Sequence, residues 1–354
     1  MNQLSEELRK HLHAGTVIPA HPLALNAERQ LDERMQRQLS RYYMASGAGG
    51  IAVGVHSTQF EIRDPEVNLY EKVLALAAEE ISNADLDRPF LKVAGICGPT
   101  AQAVNESKIA LKHGYDIGLL SMGGLQDWSE AQILGRVKAV AAVIPVFGFY
   151  LQPSVGGRIF SYDFWLAFAE IENVEAIKCA SFNRYQTLDV MRAVAHSKRC
   201  NQIAMYTGND DNIVADLLTT YRFDINGKTV EKPFIGGLLG HWAVWTTKAV
   251  ELLNDIKAYR LNPTATQANE LLTKGVEVTD TNAAMFDPSH GFHGCIPGIH
   301  EVLRRQGLLE GRWCLNPKEE LSNGQMEEIE RVYKAYPHLN DDEFVKTFLK
   351  NQGA

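Results

Sequence analysis

The sequence predicts an α/β fold, a (β/α)8 TIM barrel with a C-terminal helical extension. Three observations lead there. From residue 15 onward, short apolar runs alternate with amphipathic segments. The alternation occurs eight times, in units of roughly 25 to 35 residues with short connections. No Gly-x-Gly-x-x-Gly loop follows the first run, where a doubly wound sheet would carry one. An α/β barrel of about 250 residues is routinely one domain. The 354-residue chain therefore divides into a barrel over 1–250 and a helical extension over 251–354, packed on the barrel or on a neighbouring subunit.

The strands are expected in GTVIPA (from Gly15), GGIAVGV (from Gly49), FLKVAGI (from Phe90), DIGLLSM (from Asp116), IPVFGFY (from Ile144), VEAIKCA (from Val174), NQIAMYTG (from Asn201) and FIGGLLG (from Phe234). They are apolar without clean polar alternation, as parallel strands covered on both faces should be. Between them, Thr100 can cap a helix through Val104, Lys108 and Leu111 that stops at Gly114. WSEAQILGRVKAVAAV puts Ile133, Val137 and Val140 on one helical face. Asn183 can cap the next helix, with Leu188, Met191 and Ala195 facing inward. After about residue 250 only helical patterns follow, among them AVELLNDIKAYRLNP, IHEVLRRQGLLEG and DDEFVKTFLK. Trp242 and Trp245, ahead of the first of these, are expected to pack against the rest, or else to form part of an oligomer contact.

Composition narrows the function classes. The chain is 45% hydrophobic and 22% charged, with a formal charge of −8. No cluster of Lys and Arg offers a phosphate-binding face, so a nucleic-acid partner is not expected. The five cysteines are scattered without CxxC spacing, which indicates neither a disulfide framework nor a zinc ribbon and fits a reducing, cytoplasmic setting. The N-terminus is charged where a signal peptide needs an apolar stretch, and no apolar run reaches the ~18 residues of a membrane span.

Barrel active sites sit at the C-terminal ends of the strands. The sixth strand ends in Lys178, and burying an unpaired ammonium costs several kcal/mol unless it loses its proton or finds a partner. A desolvated lysine attacks ketones when neutral, and the resulting Schiff base allows a C–C bond to break or form without a metal. Such chemistry needs a proton shuttle, and Tyr150 on the adjacent strand is a candidate. The alternative pairs Lys178 with an acid and leaves Tyr150 as a core aromatic. Ser57, with exposed backbone N–H groups around it, suits a carboxylate; plain loop capping by Ser57 and Thr58 is the other account. Cys179 is expected to point to the opposite face of the strand from Lys178.

These residues carry a resemblance. An apolar run, a tyrosine, a proline three residues later, and a lysine 28 positions beyond Tyr150 in an Ile-Lys-x-Ala context resemble the dihydrodipicolinate synthase / N-acetylneuraminate lyase superfamily of class I, Schiff-base aldolases. VIPAHPLALNAERQLDERM, GAGGIAVGVHSTQFEI, KVAGICGPTAQAVNESKIALKHGYDIGLLSM and CIPGIHEVLRRQGLLEG are similar to successive parts of that family, and Gly208-Asn209-Asp210 resembles its turn after strand seven. The resemblance implies a divergent member in which Lys178 forms an imine with pyruvate or another 2-oxo acid and Tyr150 relays protons. It also implies that Ser57 and His56 hold the substrate carboxylate, with Arg158, Gly208, Asn209 and Gly237 completing the binding set. No metal or other cofactor is expected, and the partner substrate is an aldehyde or another oxo acid. Aldol cleavage, condensation and dehydration all pass through the same imine, and a homo-oligomer, dimer or tetramer, is expected.

The departures are specific. Thr-Thr-Gly-Glu in the family is here His56-Ser57-Thr58-Gln59, and its Tyr-Tyr pair after strand four is Met122-Gly123-Gly124. Arg158 lies eight residues after the tyrosine, whereas the arginine that binds a distal carboxylate in the synthases lies five after it. The lysine-biosynthetic reaction is therefore not expected. Two rivals remain: a metal-dependent barrel drawing on His56, His241, His290 and His293, and a catalytically silent barrel that binds a 2-oxo acid.

Overall fold

The computed structural model describes residues 2–352. Its strands are β1 (Val17–Pro19), β2 (Gly50–Val53), β3 (Leu91–Ile96), β4 (Ile117–Leu120), β5 (Val146–Leu151), β6 (Val174–Ala180), β7 (Ala204–Thr207), β8 (Thr220–Ile225), β9 (Lys228–Pro233) and β10 (Gly236–Leu239). The helices are α1 (Glu6–Ala14), α2 (Glu33–Ala45), α3 (Tyr70–Asn83), α4 (Thr100–Lys112), α5 (Glu130–Ala141), α6 (Tyr162–Ala169), α7 (Arg184–His196), α8 (Ile213–Leu218), α9 (Thr246–Leu261), α10 (Ala265–Phe286), α11 (Cys295–Arg305), α12 (Gln325–Ala335) and α13 (Asp342–Gln352). Eight strands form one sheet in the order β1-β10-β7-β6-β5-β4-β3-β2. With its flanking helices this is a (β/α)8 TIM barrel, and each of the eight expected runs supplies one strand.

The chain divides into two compact units. The first joins the segment up to Thr16 to Leu91–Leu238, and the second joins Val17–Phe90 to the chain from Leu239 onward. In the first, parallel strands β3 to β7 are covered by helices whose apolar stripes are fully buried: Ile133, Val137 and Val140 on α5, Phe164, Trp165 and Phe168 on α6, Val190, Met191 and Val194 on α7. Ser129 caps α5 in a reciprocal box with Gln132, and Asn183 caps α7 by accepting from the Tyr185 and Gln186 N–H groups. Two expectations change. Helix α4 begins at Thr100 without a side-chain cap, Pro99 holding the cap position. Leu188 is exposed, because Thr187, Val190, Met191 and Val194 form the buried stripe of α7 and Leu188 lies off it.

Two features were not foreseen. Helix α1 precedes the barrel strands, and Arg9 on it makes a two-point contact with Glu175 at 2.8 and 2.9 Å. Antiparallel strands β8 and β9 form a hairpin before β10, turned by Asn226 and Gly227 at φ 55° and 73°. An Asn-Gly pair between extended runs is the expected signal for such a turn.

In the second unit, Ala20, just after β1, makes an isolated parallel bridge to Ala52 of β2. Helix α13 packs on α2 and α10 on α9, α11 and α12. Asp341, almost fully buried, anchors this packing: its carboxylate accepts from the Tyr42 hydroxyl at 2.7 Å, the Gln306 amide at 2.8 Å and the Thr247 N–H at 3.2 Å. Trp242 is buried and Trp245 packs edge-on against Tyr333 of α12, centroids 5.4 Å apart, as the sequence implied.

Candidate active site

Every residue of β6, Val174 to Ala180, is buried, and Lys178 is 8% exposed. Its surroundings are set by one irregularity. At the start of the strands Val146 pairs with Val174, but the next pair is Phe147 with Ala176, so Glu175 is an extra residue in β6. Such a bulge shifts the register by one position, and in a period-two strand a one-residue shift exchanges faces. The spacing of 28 between Tyr150 and Lys178 would pair them in a regular ladder; beyond the bulge Phe149 pairs with Lys178 and Tyr150 with Cys179.

The side chains follow that register. The Lys178 ammonium lies 4.3 Å from the centroid of the Phe149 ring. On its other side the register partner is Tyr206, whose hydroxyl is engaged with the Leu12 carbonyl at 2.8 Å. Gly208 provides the space: a Cβ there would stand 2.4 Å from Lys178 Cε and 3.0 Å from Cγ. The Gly208 N–H donates to the Cys179 carbonyl at 2.7 Å, and the Asp210 N–H donates to the Gly208 carbonyl at 3.2 Å. Burial pushes the Lys178 pKa down to about 8 from 10.5, against an opposing attraction from Asp210.

Tyr150 is not brought to Lys178. Its ring packs against Trp165 of α6 at 5.1 Å and against Phe160 at 6.3 Å. Its hydroxyl is buried without a hydrogen bond of acceptable geometry, and burial raises its pKa, opposed by the nearby Phe160 backbone. The register beyond the bulge puts Tyr150 on the helix-facing side, beside Cys179 and not beside Lys178. Cys179 shares that side, its Sγ 3.8 Å from the Ser181 and Thr187 hydroxyls.

The remaining expected residues of the first unit divide by what their polar atoms already do. Asn209 is fully buried and spent at both ends, accepting from the Phe182 N–H at 3.0 Å and donating to Asp216 at 2.8 Å. It holds the turn after β7. Arg158 donates to the carbonyls of Leu125 and Trp128 at 3.2 and 2.7 Å and lies over the Phe160 ring. It ties the β4–α5 loop to the β5–α6 loop. Gly123 belongs to the same tie, since a Cβ on it would meet the Gly156 carbonyl oxygen at 2.7 Å. Gly237 lies in β10, paired with Thr207, and donates to the Thr16 carbonyl.

His56 and Ser57 belong to the second unit, in a short 3-10 turn over His56–Thr58. The Ser57 hydroxyl donates to the Ala20 carbonyl at 2.9 Å. Thr58 donates to the His21 carbonyl at 2.7 Å and accepts from the Gly54 and Val55 N–H groups. Both hydroxyls therefore cap and tether their loop. His56 is half-buried with its ring 5.9 Å from that of Phe60.

Of the other histidines, His290 pairs with Asp287 and His241 is buried. Among the described residues no three His, Cys, Asp or Glu side chains gather to hold a metal ion. The residues missed from the sequence are Phe149, which the bulge conceals, and Asp210, which stood at a strand end but was not assigned to the site.

No family model and no curated protein sequence matches the chain. Solved structures do. Dihydrodipicolinate synthase from Oceanobacillus iheyensis is 16% identical, covering 93% of this chain and 99% of its own, with a TM-score of 0.72. N-acetylneuraminate lyase from Fusobacterium nucleatum, in complex with pyruvate, is 16% identical over 93% and 99%, with a TM-score of 0.71. Dihydrodipicolinate synthase from Aquifex aeolicus is 18% identical over 91% and 98%, with a TM-score of 0.70. The chain has the fold of these proteins over nearly its whole length.

Proposed function

We propose that the chain is a class I lyase or aldolase that acts on pyruvate or another 2-oxo acid through an imine on Lys178, with an aldehyde as the second reactant. The observation that carries this reading is Lys178 itself: a lysine buried in the sheet, against a glycine that makes room for it, with its pKa pushed down to about 8. An amine in that state is neutral often enough at physiological pH to attack a ketone. The shared fold with Schiff-base aldolases supports the same reading. His56 and the backbone N–H groups around Ser57 are proposed, on the resemblance, to hold the substrate carboxylate, the Ser57 hydroxyl being used to tether the loop to Ala20. The free thiols of all five cysteines fit a cytoplasmic enzyme, and a homo-oligomer is proposed by resemblance.

Borohydride reduction in the presence of pyruvate tests the proposal. The expected result is a covalent adduct on Lys178 in a peptide map, absent from Lys178→Ala. No adduct on Lys178 with any small 2-oxo acid would overturn it. The displacement of Tyr150 favours a second reading, a barrel that binds 2-oxo acids without turnover. Binding of pyruvate with neither adduct nor product would establish that one.

A further inference from the structure

A Schiff base breaks or makes a neighbouring C–C bond because its nitrogen draws electrons, and it draws them strongly only while it is protonated. A neutral imine is a poor electron sink. Burial favours loss of that proton, since desolvation penalises the charged form. The environment of Lys178 Nζ therefore has to hold a positive charge in a place that excludes water.

The group in contact with that nitrogen is an aromatic face. Lys178 Nζ lies 4.3 Å from the centroid of the Phe149 ring, and the two residues are register partners across β5 and β6. Both are buried. On the side of β7 the lysine stem runs against Gly208, where a Cβ would stand 2.4 Å from Lys178 Cε. The side chain is thus held between that glycine and the ring. Phe149 has no exchangeable proton and cannot relay one. What a benzene ring offers is the negative face of its quadrupole, which attracts a cation and gives a neutral nitrogen little. The attraction is strongest where the cation is desolvated. Tyr206, the register partner on the other side, has its hydroxyl engaged with the Leu12 carbonyl.

We infer that the face of Phe149 keeps the imine on Lys178 protonated, an inference that rests on the imine chemistry proposed above. The nitrogen lone pair, freed when the ammonium gives up a proton, forms the C–N bond, and the C=O π pair moves to oxygen. Two of the three ammonium protons end on that oxygen. The C–O bond breaks, water departs and the C=N bond forms, while the third proton stays on nitrogen. One cation enters the reaction and one leaves it, centred on the same atom beside the same ring. The ring works against the burial that would strip the proton, in the ammonium and in the iminium alike. The attraction of Asp210 acts on the same charge, but it does not depend on the electrons of the ring, so substituents on the ring separate the two.

Replacing Phe149 by phenylalanines that carry one, two and three fluorines weakens the negative face stepwise at nearly constant shape. Pyruvate is the probe. Cyanoborohydride reduces the protonated imine, whereas borohydride reduces the imine in either state. The ratio of the two trapping rates on Lys178, followed across pH, gives the midpoint at which the imine loses its proton. The expected result is a midpoint that falls with each added fluorine and lies about one pH unit lower in Phe149→Leu. A midpoint unchanged across the fluorinated series would overturn the inference while leaving the imine intact. Absence of any adduct in the wild-type protein would overturn both, so the two failures are distinguishable. The fluorinated rings fill the same space as Phe149, so the test stands even where Phe149→Leu fails to fold.

Discussion

Lys178 is costly to the fold. Its pKa falls from 10.5 to about 8 because burial penalises the charged form. Between about pH 8 and 10.5 the unfolded chain binds more protons than the folded one, so this group makes stability rise with pH through that window. Below about 8 the whole penalty is present, on the order of 3 kcal/mol. Lys178→Met should therefore stabilise the protein at pH 7 by about 1–3 kcal/mol and flatten the rise between pH 8 and 10.5. Urea unfolding of both proteins across that range checks it. An identical pH slope in the two would place the ammonium in solvent.

The decisive element is the bulged pair of strands β5 and β6. Glu175 is 4% exposed, and its carboxylate is held by Arg9. A buried charge with a two-point partner is the kind of feature that keeps one register in preference to another. Because the bulge turns Tyr150 away from Lys178, Tyr150→Phe should leave the rate of borohydride trapping within a few-fold of wild type. It should also leave stability equal or slightly raised, since the hydroxyl it removes is buried without a hydrogen bond. A large loss of trapping rate would show that the tyrosine reaches the lysine after all. The strand pattern was legible in the sequence; the bulge was not, because VEAIKCA reads the same with or without an extra residue opposite its partner.

At the scale of the whole molecule, the second unit shows how the helical segment beyond 250 is held. Tyr42 on α2, Thr247 on α9 and Gln306 just after α11 all converge on Asp341, and the Tyr42 ring packs at 6.1 Å against Phe348 of α13. Asp341→Ala leaves the Tyr42 hydroxyl and the Thr247 N–H without this acceptor, while Gln306 keeps Asp342. It should cost about 2–4 kcal/mol and make the α13 segment the first point of cleavage in limited proteolysis. Unchanged unfolding and cleavage patterns would show that apolar packing alone retains that helix. The amphipathic repeats announced these helices and the need for a surface beneath them, but no local pattern tied Asp341 to Tyr42, 299 positions away in sequence.

What the sequence by itself determined is the periodic part: eight strands, the helices between and after them, and a lysine at the end of the sixth. Hydrophobic periodicity and capping act within a few residues, so they can be read along the chain. Facing directions at the site were decided only in three dimensions. Whether Tyr150 or Phe149 meets Lys178 depends on pairing between strands, which one extra residue reverses. The hydrogen bonds that Asn209, Arg158 and Ser57 make were likewise not legible along the chain, since each joins segments that only the fold brings together. Local rules made the lysine at the end of β6 readable along the chain; pairing between strands set Phe149, not Tyr150, against it.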